Sequence, residues 1–206
     1  MMKHLKVVAL MALASAAFAL LLGLASASAT VLCTAEETPC SSANKLTTGT
    51  SLDWDLKGSA VVEASLSGGF QTINTCSSAT QKATLSNAGS STETVTITAP
   101  LSELISGPCT SSFWVEGGEL QIHHIAGTSN GTVTAKGFKT SINTAFGACV
   151  YGFTSLTDVG TLTGSTDPIL HFNGEMSRVS GAICPAAARW TAEYTFTQPT
   201  FYVEPS

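Results

Sequence analysis

Residues 190–197, WTAEYTFT, carry the pattern that decides the fold of this chain. Every second side chain is apolar, and the apolar set consists of Trp190, Ala192, Tyr194 and Phe196. The positions between them hold three threonines and Glu193. A period of two is typical of a β-strand with one buried face and one solvated face. The stretch therefore predicts a half-buried strand that supplies large side chains to a core.

The same alternation recurs in SLDWDLK at 51–57 and in TETVTIT at 92–98. Turn signals separate these stretches, at LSGGF (66–70), SNAGSS (86–91), SNGT (129–132) and STDP (165–168). Asn130-Gly131 is the strongest hairpin signal, because this dipeptide favours a two-residue turn between strands. Many short antiparallel strands with frequent turns predict an all-β fold, either an antiparallel β-sandwich or a barrel-like fold.

The stretch VLCTAEETPC, residues 31–40, holds the first two of six cysteines, which lie at 33, 40, 76, 109, 149 and 184. Leu32 precedes Cys33, whereas a lipid-modified cysteine follows a small residue, so a lipid anchor is disfavoured. The C-x6-C spacing departs from the C-x-x-C of redox pairs, and no histidine lies nearby to complete a zinc site. An even set of cysteines in an exported chain predicts three disulfides.

The spacing favours one of the fifteen pairings of these cysteines, although it does not exclude the others. The favoured pairing joins Cys33 to Cys40, Cys76 to Cys109 and Cys149 to Cys184. Each such bridge stabilises a fold by about 2.5–4 kcal/mol when the unfolded chain is restricted by the closed loop. Three bridges together are comparable with the net stability of a whole domain.

The first 29 residues are expected to form a signal peptide with a helical apolar segment. Lys3 and Lys6 make a basic start, residues 7–25 are almost entirely apolar, and ASASA at 25–29 offers two A-x-A sites. Cleavage is expected after Ala29 or Ala27, and an uncleaved anchor is the alternative. Residues 30–206 then form a single β-rich domain, which we expect to be secreted.

Charge excludes two classes of partner. Only 11% of residues are charged, and loss of Lys3 and Lys6 with the leader takes the formal net charge from −5 to −7. The remaining basic residues are scattered, so no nucleic-acid footprint and no attraction to an anionic membrane is expected after cleavage. The expected partner is an extracellular or cell-surface ligand whose chemistry the sequence leaves open, as it does the oligomeric state.

Several short motifs together resemble a known type of protein. They are LC and PC behind the leader, Cys76 alone, GPC at 107–109, CVY at 149–151, and CP followed by W-x3-Y at 190–194. The chain resembles an uncharacterised group of secreted, cysteine-bearing, Thr/Ser-rich bacterial β proteins. The resemblance implies export and a β-rich fold, and it brings no activity with it.

No set of residues predicts a catalytic, metal or cofactor site. His123 and His124 are adjacent, so in a strand they face opposite sides, and His171 is distant in sequence. Asp53 and Asp55 share a strand face, but no calcium-loop motif surrounds them. The carboxylates Glu36, Glu37, Glu116 and Glu119 are candidates for a glycosidase pair, which needs two carboxyl groups about 5–10 Å apart in a cleft.

Of the three tryptophans, Trp54 and Trp190 lie on the apolar phase of their strands and are expected in the core. Phe113 and Val115 flank Trp114 on the opposite phase, so Trp114 is the candidate exposed aromatic contact.

Two functions follow from these observations. The first is a non-enzymatic secreted binding, adhesion or surface-associated structural protein. The alternative is a secreted hydrolase, acting on carbohydrate, which requires that Glu116 or Glu119 meets His123, His124 or His171 in a pocket.

Overall fold

The fold is all β. A computed structural model describes residues 29–98, 105–106, 108–145 and 147–206. Strands make up 64% of the structure, and the described residues contain no helix. The predicted signal helix within residues 1–29 lies outside the described residues, except for Ala29 at its end.

The described residues form sixteen strands. They are β1 (Thr30–Cys33), β2 (Ser51–Leu56), β3 (Ala60–Leu66), β4 (Gly69–Cys76), β5 (Ala79–Ala88), β6 (Val95–Thr98), β7 (Ile105–Ser106), β8 (Phe113–Glu116), β9 (Glu119–His124), β10 (Asn130–Lys136), β11 (Lys139–Thr144), β12 (Gly147–Gly152), β13 (Thr157–Thr163), β14 (Ile169–Ser180), β15 (Ala187–Gln198) and β16 (Tyr202–Pro205).

Eight of these strands close into an antiparallel barrel. The order around the barrel is β2, β5, β6, β9, β10, β13, β14 and β15, and β15 pairs again with β2. Of the two expected architectures, the barrel is therefore the one that forms. Closure leaves these strands without a free hydrogen-bonding edge along their paired lengths.

Alternating large side chains fill the interior of the barrel, as the pattern at 190–197 predicts. Trp190, Ala192, Tyr194 and Phe196 are all buried, and so is Trp54 on β2. The rings of Trp54 and Phe196 meet edge to face with their centroids 5.0 Å apart. Trp54, Trp190 and Tyr194 line a cavity of about 20 Å³. The interior is therefore a packed core with room for about one water molecule.

The long hairpin of β14 and β15 extends the sheet beyond one end of the barrel. Each strand has twelve residues, and their far ends pair with each other. On their other sides these far ends pair with β12 and β3 instead of with β13 and β2. Strands β4, β11 and β8 continue this region on its two sides. We call it the extension: β3, β4, β8, β11, β12 and the far ends of β14 and β15.

Two disulfides hold the extension together. Cys76 at the end of β4 is bonded to Cys109, just before β8, and Cys149 in β12 is bonded to Cys184, just after β14. The Thr110 amide also donates to the Thr75 carbonyl at 2.9 Å, which brings the two outer parts of the extension side by side. The third bridge joins Cys33 to Cys40, so the favoured pairing is the one present.

Strands β1 and β16 form a separate antiparallel ribbon at the opposite end of the barrel. We call this ribbon, together with Phe201 just before β16, the plug. Leu32, Phe201 and Val203 of the plug are fully buried in the common core. Glycines at this end of the barrel allow this close approach. A Cβ on Gly164 would lie 2.7 Å from the Tyr202 Cα, which no real side chain tolerates.

The predicted hairpin of β9 and β10 forms, but Asn130-Gly131 is not its turn. Both residues belong to β10, where Gly131 pairs with His124, and the turn spans residues 125–129. Gly131 has another role, because a Cβ there would meet the Ile122 side chain at 2.7 Å and Val203 of the plug at 3.2 Å. Gly131 is therefore needed for packing against Val203. The connection between β9 and β10 is longer than a two-residue turn.

Candidate functional site

A concave site lies at the plugged end of the barrel. It is a cleft of about 620 Å³ that opens to solvent. Glu36, Glu37 and Thr38 of the loop closed by the Cys33–Cys40 bridge form one wall. His124 and the 125–129 turn form the other, and Pro205 of the plug also lines the space. We call this site the end cleft.

Glu37 is fixed in place by its own loop. Its Oε1 atom accepts hydrogen bonds from the Ser41 amide at 2.7 Å, the Ser41 hydroxyl at 2.6 Å and the Asn44 side-chain amide at 2.9 Å. These hydrogen bonds, those from Ser41 first, lower the pKa of the Glu37 carboxyl below its usual value. Glu37 is therefore ionised throughout the neutral range.

A buried carboxylate ties this loop to the plug. Glu204 of β16 lies opposite Val31 of β1 and is only 1% exposed. Its Oε2 atom accepts a hydrogen bond from the Thr38 hydroxyl at 2.8 Å, and its Oε1 atom has no hydrogen-bond partner among the described residues. Thr38 thus faces the cleft while its hydroxyl holds the loop against the plug.

The opposite wall is stabilised by hydrogen bonds within the 125–129 turn. His124 Nε2 lies 2.7 Å from the Thr128 carbonyl oxygen, and the Thr128 hydroxyl donates to the Ile125 carbonyl at 2.8 Å. The Ser129 hydroxyl lies 3.4 Å from Glu36 Oε1 on the facing wall. In the contact between His124 and Thr128, the His124 Nε2 atom is the hydrogen-bond donor, because a carbonyl oxygen only accepts.

The end cleft is negatively charged. Glu36 and Glu37 both line it, and none of the described residues that line it is a lysine or an arginine. Glu36 is exposed, so its carboxylate is available to a ligand. The arrangement suits a group with positive charge and hydrogen-bond donors.

Glu116 and Glu119, which the hydrolase hypothesis pairs with a histidine, have other partners. Glu116 faces Lys139, with 3.7 Å between carboxylate and ammonium, and Glu119 accepts a hydrogen bond from Gln121 at 3.3 Å. His171 Nδ1 lies 3.2 Å from a carboxylate oxygen of Glu193 on the outside of the barrel.

The set that does come together is the adjacent pair Glu36 and Glu37 with His124, which is distant from them in sequence. Thr38, Ser129 and Glu204 complete this site, and the sequence offered no sign of their roles. The polar run at 127–129 marks a loop, but nothing local brings that loop to Glu36.

Asp53, one of the two acidic residues on β2, contacts neighbouring side chains. Asp53 lies 4.0 Å from the Lys82 ammonium and accepts a hydrogen bond from the Ser51 hydroxyl at 3.2 Å.

Among the described residues, the one grouping of three potential metal ligands is Cys33, Glu37 and Cys40. Its two sulfur atoms are bonded to each other, so they offer no thiolate to a metal.

Trp114 lies on the surface of the extension with 52% of its side chain exposed. In the register of β8, β11 and β12, Ser141 lies beside it and Val150 beside Ser141. The Glu116–Lys139 ion pair occupies the neighbouring row of the same sheet. The indole thus lies on an open sheet face with small, hydroxyl-bearing and charged neighbours.

Comparison of the chain with protein-family models, with curated proteins and with solved structures returned no match. Nowhere in the described ranges is there a helix of the length and apolarity needed to cross a membrane. Functional assignment therefore depends on the geometry and charge of the sites described above.

Proposed function

We propose that the protein is an exported, non-enzymatic binding protein and that the end cleft takes a ligand carrying a positively charged amine. The observation that supports this most is a cleft of about 620 Å³ lined by two carboxylates and, among its described residues, by no basic side chain. Clefts of about 300–1,000 Å³ are the usual size for small ligands.

Bonds within the protein itself hold both walls of the end cleft in place. One wall is closed by a disulfide and three hydrogen bonds to Glu37, and the other by hydrogen bonds within the turn. A site whose walls are already ordered loses less entropy when it binds. The formal net charge of −5 for the whole chain also favours the approach of cations.

Export is the second part of the proposal. Three disulfides are consistent with an extracellular location, because such bonds persist in oxidising compartments. The basic, apolar and small-residue segments of the predicted leader support the same conclusion. A ligand met outside the cell is the natural partner for a surface cleft of this kind.

A binding titration tests the proposal. Oxidised mature protein is titrated with tri-lysine as a cationic probe and tri-glutamate as the anionic control, and binding is followed by NMR shifts at His124. Glu36→Gln is expected to weaken tri-lysine binding about tenfold, because a charge-assisted hydrogen bond is lost. The matched control is Glu116→Gln, since Glu116 faces Lys139 outside the cleft.

Saturable binding that weakens in high salt supports the proposal. Equal response to both peptides, or equal affinity of the Glu36→Gln and Glu116→Gln proteins, contradicts it.

A hydrolase remains the second candidate, because Glu36, Glu37 and His124 line the same cleft. A glycosidase needs one carboxylic acid with a raised pKa, whereas hydrogen bonds lower the pKa of Glu37. Glu36 is the other carboxyl group that lines the cleft. Release of reducing ends from a polysaccharide panel, abolished by Glu36→Gln and retained by Glu116→Gln, would establish the hydrolase and displace the binding function.

Trp114 is proposed as a separate contact for a flat ligand surface such as a sugar ring. Its exposed indole and its place on an open sheet face support this role. Pull-down on insoluble polysaccharides tests it, with loss of retention in Trp114→Ala as the expected result.

A further inference from the structure

Glu204 is a buried carboxylate that lies directly behind the wall of the end cleft. Only 1% of the residue is exposed, and its Oε2 atom accepts the hydrogen bond from the Thr38 hydroxyl at 2.8 Å. Thr38 lines the cleft, and so does Pro205, the residue that follows Glu204. The carboxylate is therefore directed at the cleft wall from behind Thr38.

The charge of Glu204 is not balanced within the part of the chain that the structure describes. Its Oε1 atom has no hydrogen-bond partner there, and no ion pair of the described residues includes it. Lys45, which bridges to Cys33 of β1, directs its ammonium to the Gly89 carbonyl at 3.0 Å instead. A buried carboxylate without a neighbouring cation is costly to a fold, which indicates that a cation bound in the cleft balances it.

The plugged end differs in this respect from the sides of the molecule. Four carboxylates elsewhere in the described ranges have a lysine or arginine partner, in the pairs Lys57–Glu193, Lys82–Asp53, Lys139–Glu116 and Arg189–Glu63. Within the same ranges, no ion pair includes Glu36, Glu37 or Glu204. Three carboxylates at one end are thus left to a cation from outside the chain.

The spacing of these carboxylates does not suit a single metal ion. In the described part of the chain, the one trio of potential ligand atoms within 4.8 Å of one another is that of Cys33, Glu37 and Cys40. Glu36, Glu37 and Glu204 therefore do not approach one another as closely as the oxygen ligands of one calcium or magnesium ion do. Separate negative charges of this kind match a ligand that carries separate positive charges.

We propose that the ligand of the end cleft is an aliphatic polyamine, and that Glu204 is the third anionic group of its site. This inference rests on the proposed binding of a positively charged amine. A polyamine carries ammonium groups spaced along a flexible chain, and a cleft of about 620 Å³ is large enough to hold one. Exposed Glu36 contacts the ligand, whereas Glu204 attracts it through its charge from behind Thr38.

Titration of the oxidised mature protein with amines of increasing charge tests the proposal. Butylamine, putrescine and spermine carry one, two and four amino groups, and each is titrated by calorimetry at low salt. Spermine is expected to bind at least about tenfold more tightly than butylamine, because its additional ammonium groups reach further carboxylates. Equal affinity for the three amines would overturn the proposal, and so would saturable binding of calcium chloride that displaces spermine.

Glu204→Gln separates the charge of Glu204 from its contact with Thr38. The amide oxygen of glutamine still accepts a hydrogen bond from the Thr38 hydroxyl, but the negative charge is gone. The ratio of spermine affinity to butylamine affinity is expected to fall about fivefold. A purely structural role would weaken the binding of both amines equally, so an unchanged ratio overturns the assignment of Glu204.

Thr38→Val is the complementary variant, since it removes the hydroxyl and keeps the charge of Glu204. Its affinity ratio should stay close to that of the wild type. A fall as large as that in Glu204→Gln would show that the hydrogen bond, and not the charge, sets the preference, which contradicts the proposed role of Glu204.

Glu116→Gln is the matched control for net charge, because it removes one negative charge from the extension. If it lowers the affinity ratio as much as Glu204→Gln, net charge alone decides and the proposal is overturned. If Glu204→Gln does not fold, the amine series on the wild-type protein still decides. Failure of the wild type to bind both tri-lysine and spermine removes the proposed function itself, whereas tri-lysine binding without a preference for spermine overturns only the polyamine inference.

Discussion

The two ends of the barrel are completed in different ways. At one end the plug enters the core, and glycines such as Gly164 make room for its backbone. At the other end the extension continues the sheet and is held by the Cys76–Cys109 and Cys149–Cys184 bridges. The plugged end has only the short Cys33–Cys40 bridge, whereas the two bridges of the extension close longer loops and so restrict the unfolded chain more. The end cleft forms at the plugged end, where loops meet over a rigid base.

The plug is expected to be the more sensitive of the two ends. Phe201→Ala removes a fully buried ring that meets Phe196 at a centroid distance of 5.0 Å. We expect a loss of about 3–5 kcal/mol in the free energy of unfolding, measured by urea denaturation under non-reducing conditions. A loss below about 1 kcal/mol would mean that the plug is not part of the cooperative core.

Removal of the Cys149–Cys184 bridge tests the extension alone. The sequence separation of 35 residues gives an expected loss of about 4 kcal/mol for the Cys149→Ala, Cys184→Ala double variant. Binding of tri-lysine at the end cleft should be unchanged in the protein that remains folded. If binding is lost along with stability, the two ends are coupled and the contrast between them is wrong.

Removal of the Cys33–Cys40 bridge is expected to reduce stability less and binding at the end cleft more. Its separation of 7 residues predicts a smaller loss, about 2.5 kcal/mol, for the Cys33→Ala, Cys40→Ala variant. Binding at the cleft should fall strongly, because this loop carries Glu36 and Glu37. Calorimetric titration with tri-lysine of this variant and of the Cys149→Ala, Cys184→Ala variant makes the comparison. If the Cys33→Ala, Cys40→Ala variant binds tri-lysine with unchanged affinity, the loop is held in place without its disulfide.

Glu37 gives a pH-dependent way to examine the same loop. Because its folded pKa lies below the usual value, its contribution to stability is complete above about pH 4.5 and is lost as the pH falls through the lowered pKa. The midpoint of urea unfolding is measured at a series of pH values from neutral to acid. It should therefore decline more in the wild type than in Glu37→Gln. Parallel curves for the two proteins would show that the hydrogen bonds from Ser41 and Asn44 do not favour the ionised form.

Trp114→Ala is expected to have the smallest effect on stability. The side chain is half exposed on the face of the extension, so the free energy of unfolding should change by no more than about 0.5 kcal/mol. Thermal and urea unfolding check this, and a large loss would identify the indole as a packing residue instead of a ligand contact.

Local patterns in the chain predicted much of the fold but little of the cleft. The alternation in β15 correctly placed Trp190 and Phe196 in the core, and the cysteine spacing indicated the pairing that forms. The hairpin of β9 and β10 was predicted with the wrong turn, since Gly131 is needed beside Val203. That contact joins segments far apart in the chain, which a local turn signal does not record.

The sequence by itself determined that this protein is a disulfide-bonded β domain, because period-two alternation and paired cysteines are properties of neighbouring and regularly spaced residues. Only the tertiary structure decided that the sheet closes into a barrel, that β1 and β16 plug one end, and that Glu36 and Glu37 face His124 across a cleft. The physical reason is that closure depends on the pairing of β2 with β15, and the plug on the pairing of β1 with β16. These strands are far apart in sequence, so burial selects one arrangement among many that share the same local pattern.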